Sequence, residues 1–216
     1  MSKEGSHYLV VMTGLPATGK STVSRLIARS LSDAVVLATD EIREDYFPGE
    51  VYGRLFKYSF GSSRVIYDLI GYRSRSILLE GKSVIIDGTN LRNNRDGMES
   101  VCYETGAVLV FLKTTCDEAI VRSRFEKRVV RADYMSEAKF DTYERMKQQL
   151  ADDPENYLDT EQDTYVLSNH LLVVVNTGSN WMKAYNPEKA PKFLDLMLST
   201  FTGWRLIVDD PKSENP

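Results

Sequence analysis

Tyr8-Leu9-Val10-Val11-Met12-Thr13-Gly14-Leu15-Pro16-Ala17-Thr18-Gly19-Lys20-Ser21-Thr22 is the stretch from which the fold can be read. Its first six residues form a β-rich run that is apolar up to Thr13 and meets a glycine. A run with no polar alternation reads as a central strand buried on both faces. After Thr22, the apolar residues Val23, Leu26, Ile27, Ala28 and Leu31 recur at helical spacing, so a helix follows directly. Between strand and helix stands Gly14-x-x-x-x-Gly19-Lys20-Ser21, a P-loop in its proper context. The two glycines let the backbone bend around a phosphate chain with its N–H groups pointing inward. Lys20 supplies a point charge to the β- and γ-phosphates, and the Ser21 hydroxyl is a ligand for Mg²⁺. The helix N-terminus adds partial positive charge. Gly14, Pro16, Ala17, Thr18, Gly19, Lys20, Ser21 and Thr22 are therefore the expected nucleotide-binding residues.

Outward from this segment, strands and helices alternate. Residues 34–38, 83–87, 107–112 and 170–176 read as four more buried strands. Helices are predicted after each of the first four strands. The segment from about 52 to 80 reads as helical, with Gly61-Ser62-Ser63 as a break and Gly81 as its stop. Residues 117–147 are helical and rich in charge, interrupted near 132–134, and a final helix spans about 192–201. This alternation predicts an α/β three-layer sandwich: a parallel five-stranded sheet covered on both faces, with a helical lid at about 122–140. One domain is expected over 1–201, with a partly mobile tail over 202–216. Gly14, Asp40, Asp87 with Asn90, and Asn176 all fall at strand carboxyl ends, where such sheets bind ligands.

Composition sets the outer bounds. The chain has 216 residues, 42% of them hydrophobic and 27% charged, which excludes a disordered chain or a fibre. A net charge of -4 argues against gripping long nucleic acid through global charge, though not against a local basic groove. Cys102 and Cys116 form no CxxC, so neither a disulfide framework nor a structural zinc site is expected. The polar N-terminus does not read as a signal peptide, and no apolar run approaches the ~20 residues that span a membrane. A cytoplasmic protein without membrane association is expected, its oligomeric state left open.

The motifs narrow the class. No Asn-Lys-x-Asp for reading a guanine base is present, and Asp87 is followed by Gly88 rather than by a glutamate that would activate water. Transfer of phosphate to a bound hydroxyl remains. Taken together, the P-loop, Thr39-Asp40-x-x-Arg43, Ile86-Asp87-Gly88-Thr89-Asn90 and the arginine-rich segment after Asp117 resemble a group of P-loop kinases. That group contains the polynucleotide 5′-hydroxyl kinases; zeta-toxin-like and antibiotic kinases are more distant relatives. The resemblance covers roughly residues 8 to 178 and implies an ATP- and Mg²⁺-dependent kinase. It implies that Asp40 is the general base for the acceptor hydroxyl, that Arg43 positions the acceptor, and that Asn90 contacts acceptor or phosphate. Asp87 either binds Mg²⁺, directly or through water, or holds Arg43. Arg124 and Arg128, one helical turn apart, are the lid cations expected over the γ-phosphate. Asn176 falls where this fold places adenine. The implied acceptor is a nucleic-acid 5′-hydroxyl or a nucleoside-like molecule. The alternatives are a small-molecule (antibiotic or sugar) kinase and, from another class, an ATP-binding regulatory switch without transfer activity.

Overall fold

Strand β1 (Tyr8–Thr13) is buried along its whole length. Side chains alternate between the faces of a strand, so its residues divide between two cores. Tyr8, Val10 and Met12 enter one core; Leu9 and Val11 enter the other. The computed structural model describes residues 7–48, 60–89, 95–129, 140–152, 166 and 169–208.

Strands β2 (Val35–Ala38), β3 (Val84–Asp87), β4 (Val108–Thr115) and β5 (Leu171–Asn176) complete the parallel sheet that the alternation predicts. The sheet itself is larger. It has seven strands in the order β2-β3-β1-β4-β5-β6-β7. Strand β6 (Trp181–Tyr185) runs antiparallel to β5, and β7 (Arg205–Val208) runs parallel to β6. The five-stranded parallel expectation thus needs correction to a mixed, mostly parallel sheet. The predicted tail from 202 also contains a strand; residues 209–216 lie outside the described residues.

Helices α1 (Lys20–Ser30) and α7 (Pro191–Thr200) cover the face that holds Val10 and Met12. Val23 and Ile27 of α1 and Phe193 and Met197 of α7 are buried there. The Phe193 ring lies 5.1 Å from that of Tyr8. Helices α2 (Thr39–Tyr46), α3 (Phe60–Leu79) and α4 (Arg95–Thr105) cover the other face through Ile42, Ile66, Ile70, Leu78 and Met98. Each fully buried side chain of this size contributes about 1.5–3 kcal/mol by leaving water.

The expected break at Gly61-Ser62-Ser63 would separate α3 from residues 49–59, which lie outside the described residues; α3 itself begins at Phe60 and includes Gly61-Ser62-Ser63. These residues form its first turn, where small residues are tolerated, and Ser62 is buried. Its stop is as predicted: Gly81 has φ +78°, and its N–H bonds to Leu78 O.

A third, smaller core ties the P-loop to helices α5 (Glu118–Val129) and α6 (Phe140–Asp152). Ala17, Val121, Phe125 and Tyr143 are buried in it. On its outer side the Arg122 guanidinium sits 3.9 Å from the Phe140 ring centroid, and Lys147 donates to Glu118 at 2.6 Å. The lid segment over 130–139 lies outside the described residues. Among the described residues, no helix is long and apolar enough to cross a membrane.

Candidate active site

The P-loop geometry follows from its glycines. Gly14 has φ +123° and Gly19 φ +104°, conformations that a side chain disfavours. Space forbids side chains as well. A Cβ on Gly14 would come within 2.4 Å of Thr114 O, and one on Gly19 within 2.9 Å of the Thr177 methyl. Gly19 is also the N-cap of α1, and no side chain caps that end. The first amides of α1 are thus left for an anion.

Several of the loop's carbonyls are engaged. Lys20 Nζ donates to Gly14 O at 2.8 Å and to Leu15 O at 2.9 Å. Thr18 Oγ1 donates to Leu15 O at 2.7 Å and lies 2.7 Å from Thr114 Oγ1. Arg124 Nη1 donates to Ala17 O at 2.9 Å and to Thr177 Oγ1 at 3.0 Å, and Nη2 donates to Thr177 O at 3.2 Å. Thr177 Oγ1 in turn donates to Thr18 O at 2.7 Å. Arg124, expected over a γ-phosphate, here holds the loop backbone.

Acidic residues gather at the neighbouring strand ends. Register pairs Ala38 at the end of β2 with Asp87 at the end of β3, and Val11 of β1 with Ile86. Asp87 is buried, 8% exposed, and its Oδ2 accepts from Ser24 Oγ of α1 at 3.4 Å. Asp40 lies in the first turn of α2, partly exposed. Arg43, one turn on, is buried at 7% exposure. Asn176 closes β5: its Oδ1 accepts from the N–H groups of Gly178 at 2.9 Å and Ser179 at 2.8 Å, shaping the turn into β6. Asn90 and the side chain of Arg128 lie outside the described residues, as do Arg92 and the side chain of Arg95.

Three contributors escape a reading of motifs alone. Tyr67 of α3 donates its hydroxyl to Thr89 O at 2.7 Å. Burial raises its pKa well above the ordinary tyrosine range; Arg43 opposes this and Asp40 adds to it, so the phenol lies within electrostatic reach of both. Thr114 and Thr177 are the other two. The available signal was their position, at the carboxyl end of β4 and just after that of β5.

The remaining polar candidates take structural places. Burial pushes the Cys102 thiol up to about 12, with Glu99 adding to the effect, so it is a poor nucleophile. His7 lies 3.2 Å from Thr105 O, and His170 lies 3.3 Å from Glu99.

The oxygen chemistry fits Mg²⁺. Ser21 offers an exposed hydroxyl in the first turn of α1, and Asp87 offers a buried carboxylate beside that helix. Magnesium in such sites takes one or two protein oxygens and completes its shell with phosphate and water. Among the described residues, no cluster of three or more His, Cys, Asp or Glu side chains is present to form an all-protein metal cage.

Comparison with known proteins is consistent with this arrangement. The family model AAA_33, described as an AAA domain, matches residues 9–152. A curated relative, L-seryl-tRNA(Sec) kinase of Methanococcus maripaludis, is 32% identical over 122 residues, covering 53% of this chain and 44% of that protein. The chain thus spans less than half the length of this curated relative. Kti12 of Chaetomium thermophilum, solved with ADP-AlF3, superposes with a TM-score of 0.59 at 15% identity, covering 90% of this chain and 100% of that one. A chain of the Pnkp1/Rnl/Hen1 RNA repair complex superposes with a TM-score of 0.52 at 18% identity, covering 100% of this chain and 84% of that one. At these identities, the two superpositions show a shared fold.

Proposed function

Since the chain belongs to the AAA_33 family of P-loop kinases, we propose that it transfers the γ-phosphate of ATP to a hydroxyl group. One observation carries this reading. A loop whose carbonyls are already held stands beside two strand ends, that of β3 carrying Asp87 and that of β2, two residues before Asp40. The nucleotide phosphates lie on the amides of residues 14–22, with the base against the turn after Asn176. Lys20 exchanges its loop carbonyls for the β- and γ-phosphates.

Asp40 accepts the proton of the acceptor hydroxyl as the new P–O bond forms. Arg43 and Tyr67 fix the ground around it. Arg43 orients Asp40 and the acceptor, while Tyr67 holds the Thr89 carbonyl at the entrance to the segment that contains Asn90. Arg128, one turn beyond Arg124 on α5, is the cation that closes on the γ-phosphate. Ser21 and Asp87 would hold Mg²⁺, which when bound would neutralise charge on the phosphate oxygens. The residues themselves supply position, charge and a proton acceptor, which is most of what phosphoryl transfer asks of a protein.

The acceptor is a hydroxyl carried on nucleic acid, a 5′ end or a nucleoside-like group. The motifs around Asp40 and Asp87 support this, as does the one curated relative described above, a kinase named for a tRNA-borne serine. A second reading, a small-molecule acceptor such as a sugar or an antibiotic, draws on the net charge of -4, which disfavours long polyanions.

Full-length protein, Mg²⁺ and γ-labelled ATP incubated with 5′-hydroxyl oligonucleotides, nucleosides, seryl-tRNA, sugars and aminoglycosides separate these readings. Label in a nucleic-acid or nucleoside product is the expected result. Label confined to sugars or aminoglycosides selects the second reading. Tight ATP binding with no labelled product in any arm means a regulatory switch instead.

A further inference from the structure

A loop that turns its N–H groups toward a phosphate must turn its carbonyls away, beneath the elements that pack behind it. Carbonyls buried there need donors of their own. Four loop carbonyls have them: those of Gly14, Leu15, Ala17 and Thr18. For the first two, the donors come from the loop and the first residue of α1, namely Lys20 and Thr18. For the last two, they come from outside: Arg124 on α5 reaches Ala17 O, and Thr177 after β5 reaches Thr18 O.

These two outer donors also bond to each other. Arg124 gives one N–H to the Thr177 hydroxyl and another to the Thr177 carbonyl. The Thr177 hydroxyl therefore accepts from α5 and donates to the P-loop at once. Its methyl group takes part as well, lying where a Cβ on Gly19 would meet it at 2.9 Å. One side chain thus touches the last two residues before Lys20 with both of its branches.

The inner and outer donors have different fates when a nucleotide binds. Lys20 must leave Gly14 O and Leu15 O to reach phosphate. Arg124 and Thr177 belong to other elements, α5 and the turn after β5, and hold the loop in the absence of any nucleotide. We propose that Thr177, clamped by Arg124, is a positioning residue: an external latch that keeps the Ala17–Gly19 peptide groups with carbonyls out and amides in. The latch sets nucleotide affinity before any nucleotide arrives, and it ties the root of the lid helix α5 to the phosphate loop. It rests on the reading of this loop as the nucleotide site, and it assigns no part in the transfer chemistry to Thr177.

Two substitutions in the full-length protein test it. Thr177→Val keeps the branched shape against Gly19 and removes the hydroxyl. Thr177→Ser keeps the hydroxyl and removes the methyl. Two measurements are made on each: affinity for ADP with Mg²⁺ by titration calorimetry, and hydrogen exchange of the segment 14–22 without nucleotide. The latch predicts an affinity loss of about five- to fiftyfold in Thr177→Val, the range for a lost bond plus a stranded carbonyl. It predicts faster exchange in 14–22 but not in α7, with Thr177→Ser within about twofold of the parent in both readouts. Wild-type affinity and exchange in Thr177→Val would overturn it. The exchange comparison uses no nucleotide, so it judges the latch independently. Failure of the parent protein to bind ADP would instead count against the nucleotide reading.

Discussion

Gly88 shows how one missing side chain places a proposed catalytic group elsewhere. A Cβ at this position would come within 2.4 Å of Thr39 Cγ2 and 2.6 Å of Thr39 Oγ1. Thr39 is the first residue of α2 and Asp40 the next, so the close approach of the β3 end to α2 fixes where the proposed base stands. Gly88→Ala must push Thr39 away and carry Asp40 with it. The expected result is a fall in phosphate transfer of at least about tenfold, since misplacement of an ångström can cost far more. Affinity for ADP should be unchanged, because the residue displaced is Thr39, which lies outside the P-loop. Adding Thr39→Ser removes the clashing methyl and should restore part of the transfer rate. A Gly88→Ala protein with full activity would separate Asp40 from this packing. From sequence, Gly88 was legible only as the absence of a glutamate after Asp87. Its steric role needs the β2–β3 register and the start of α2, which no local pattern states.

Helices carry the next level, and α3 bears an unneeded weakness. Gly71 lies in its middle, and a Cβ there would meet nothing within 4 Å. Glycine in a helix interior costs about 1 kcal/mol relative to alanine, through the freedom it retains in the unfolded chain. Gly71→Ala should therefore stabilise the protein by about 0.5–1 kcal/mol. For a chain of this size the melting temperature should rise about 1–4 °C, measurable by calorimetry. An unchanged or lower melting temperature would mean that residue 71 is constrained by something other than helix propensity. Glycine in this one helix is read differently by position: Gly61 is exposed in the first turn, Gly71 is unhindered, and Gly81 terminates the helix with a positive φ. The Gly61-Ser62-Ser63 run sets weak helix formers at the described start of the helix, where Ser62 is buried and Ile66 and Ile70 enter the core that follows.

At the scale of the whole molecule, the alternation of apolar strands and amphipathic helices made the parallel half of the sheet readable. Each of those five strands is a plain apolar run, and the first four are followed by a helix. The antiparallel extension was not readable for physical reasons. Trp181-Met182-Lys183-Ala184-Tyr185 buries only alternate residues and holds a lysine, so it lacks the continuous apolar run of its neighbours. Leu206-Ile207-Val208 sits at a partly exposed sheet edge near the polar C-terminus, where a short apolar run looks like part of a tail. The candidate site divides the same way. Gly14, Gly19, Lys20, Asp40 and Asp87 stand at strand ends or helix starts that the sequence marks. Thr114, Thr177 and the engagement of Arg124 with the loop depend on packing between residues 53 to 159 apart in sequence. The fold brings both sets to one end of the sheet, and the proposed transfer rests on Asp40. The most direct measurement compares parent protein with Asp40→Asn, following label from γ-labelled ATP into the hydroxyl acceptor that the parent uses. Asparagine preserves shape and removes the proton acceptor, so transfer should drop about 10²- to 10⁴-fold while ADP affinity stays the same. Transfer at the parent's rate in Asp40→Asn would contradict the account.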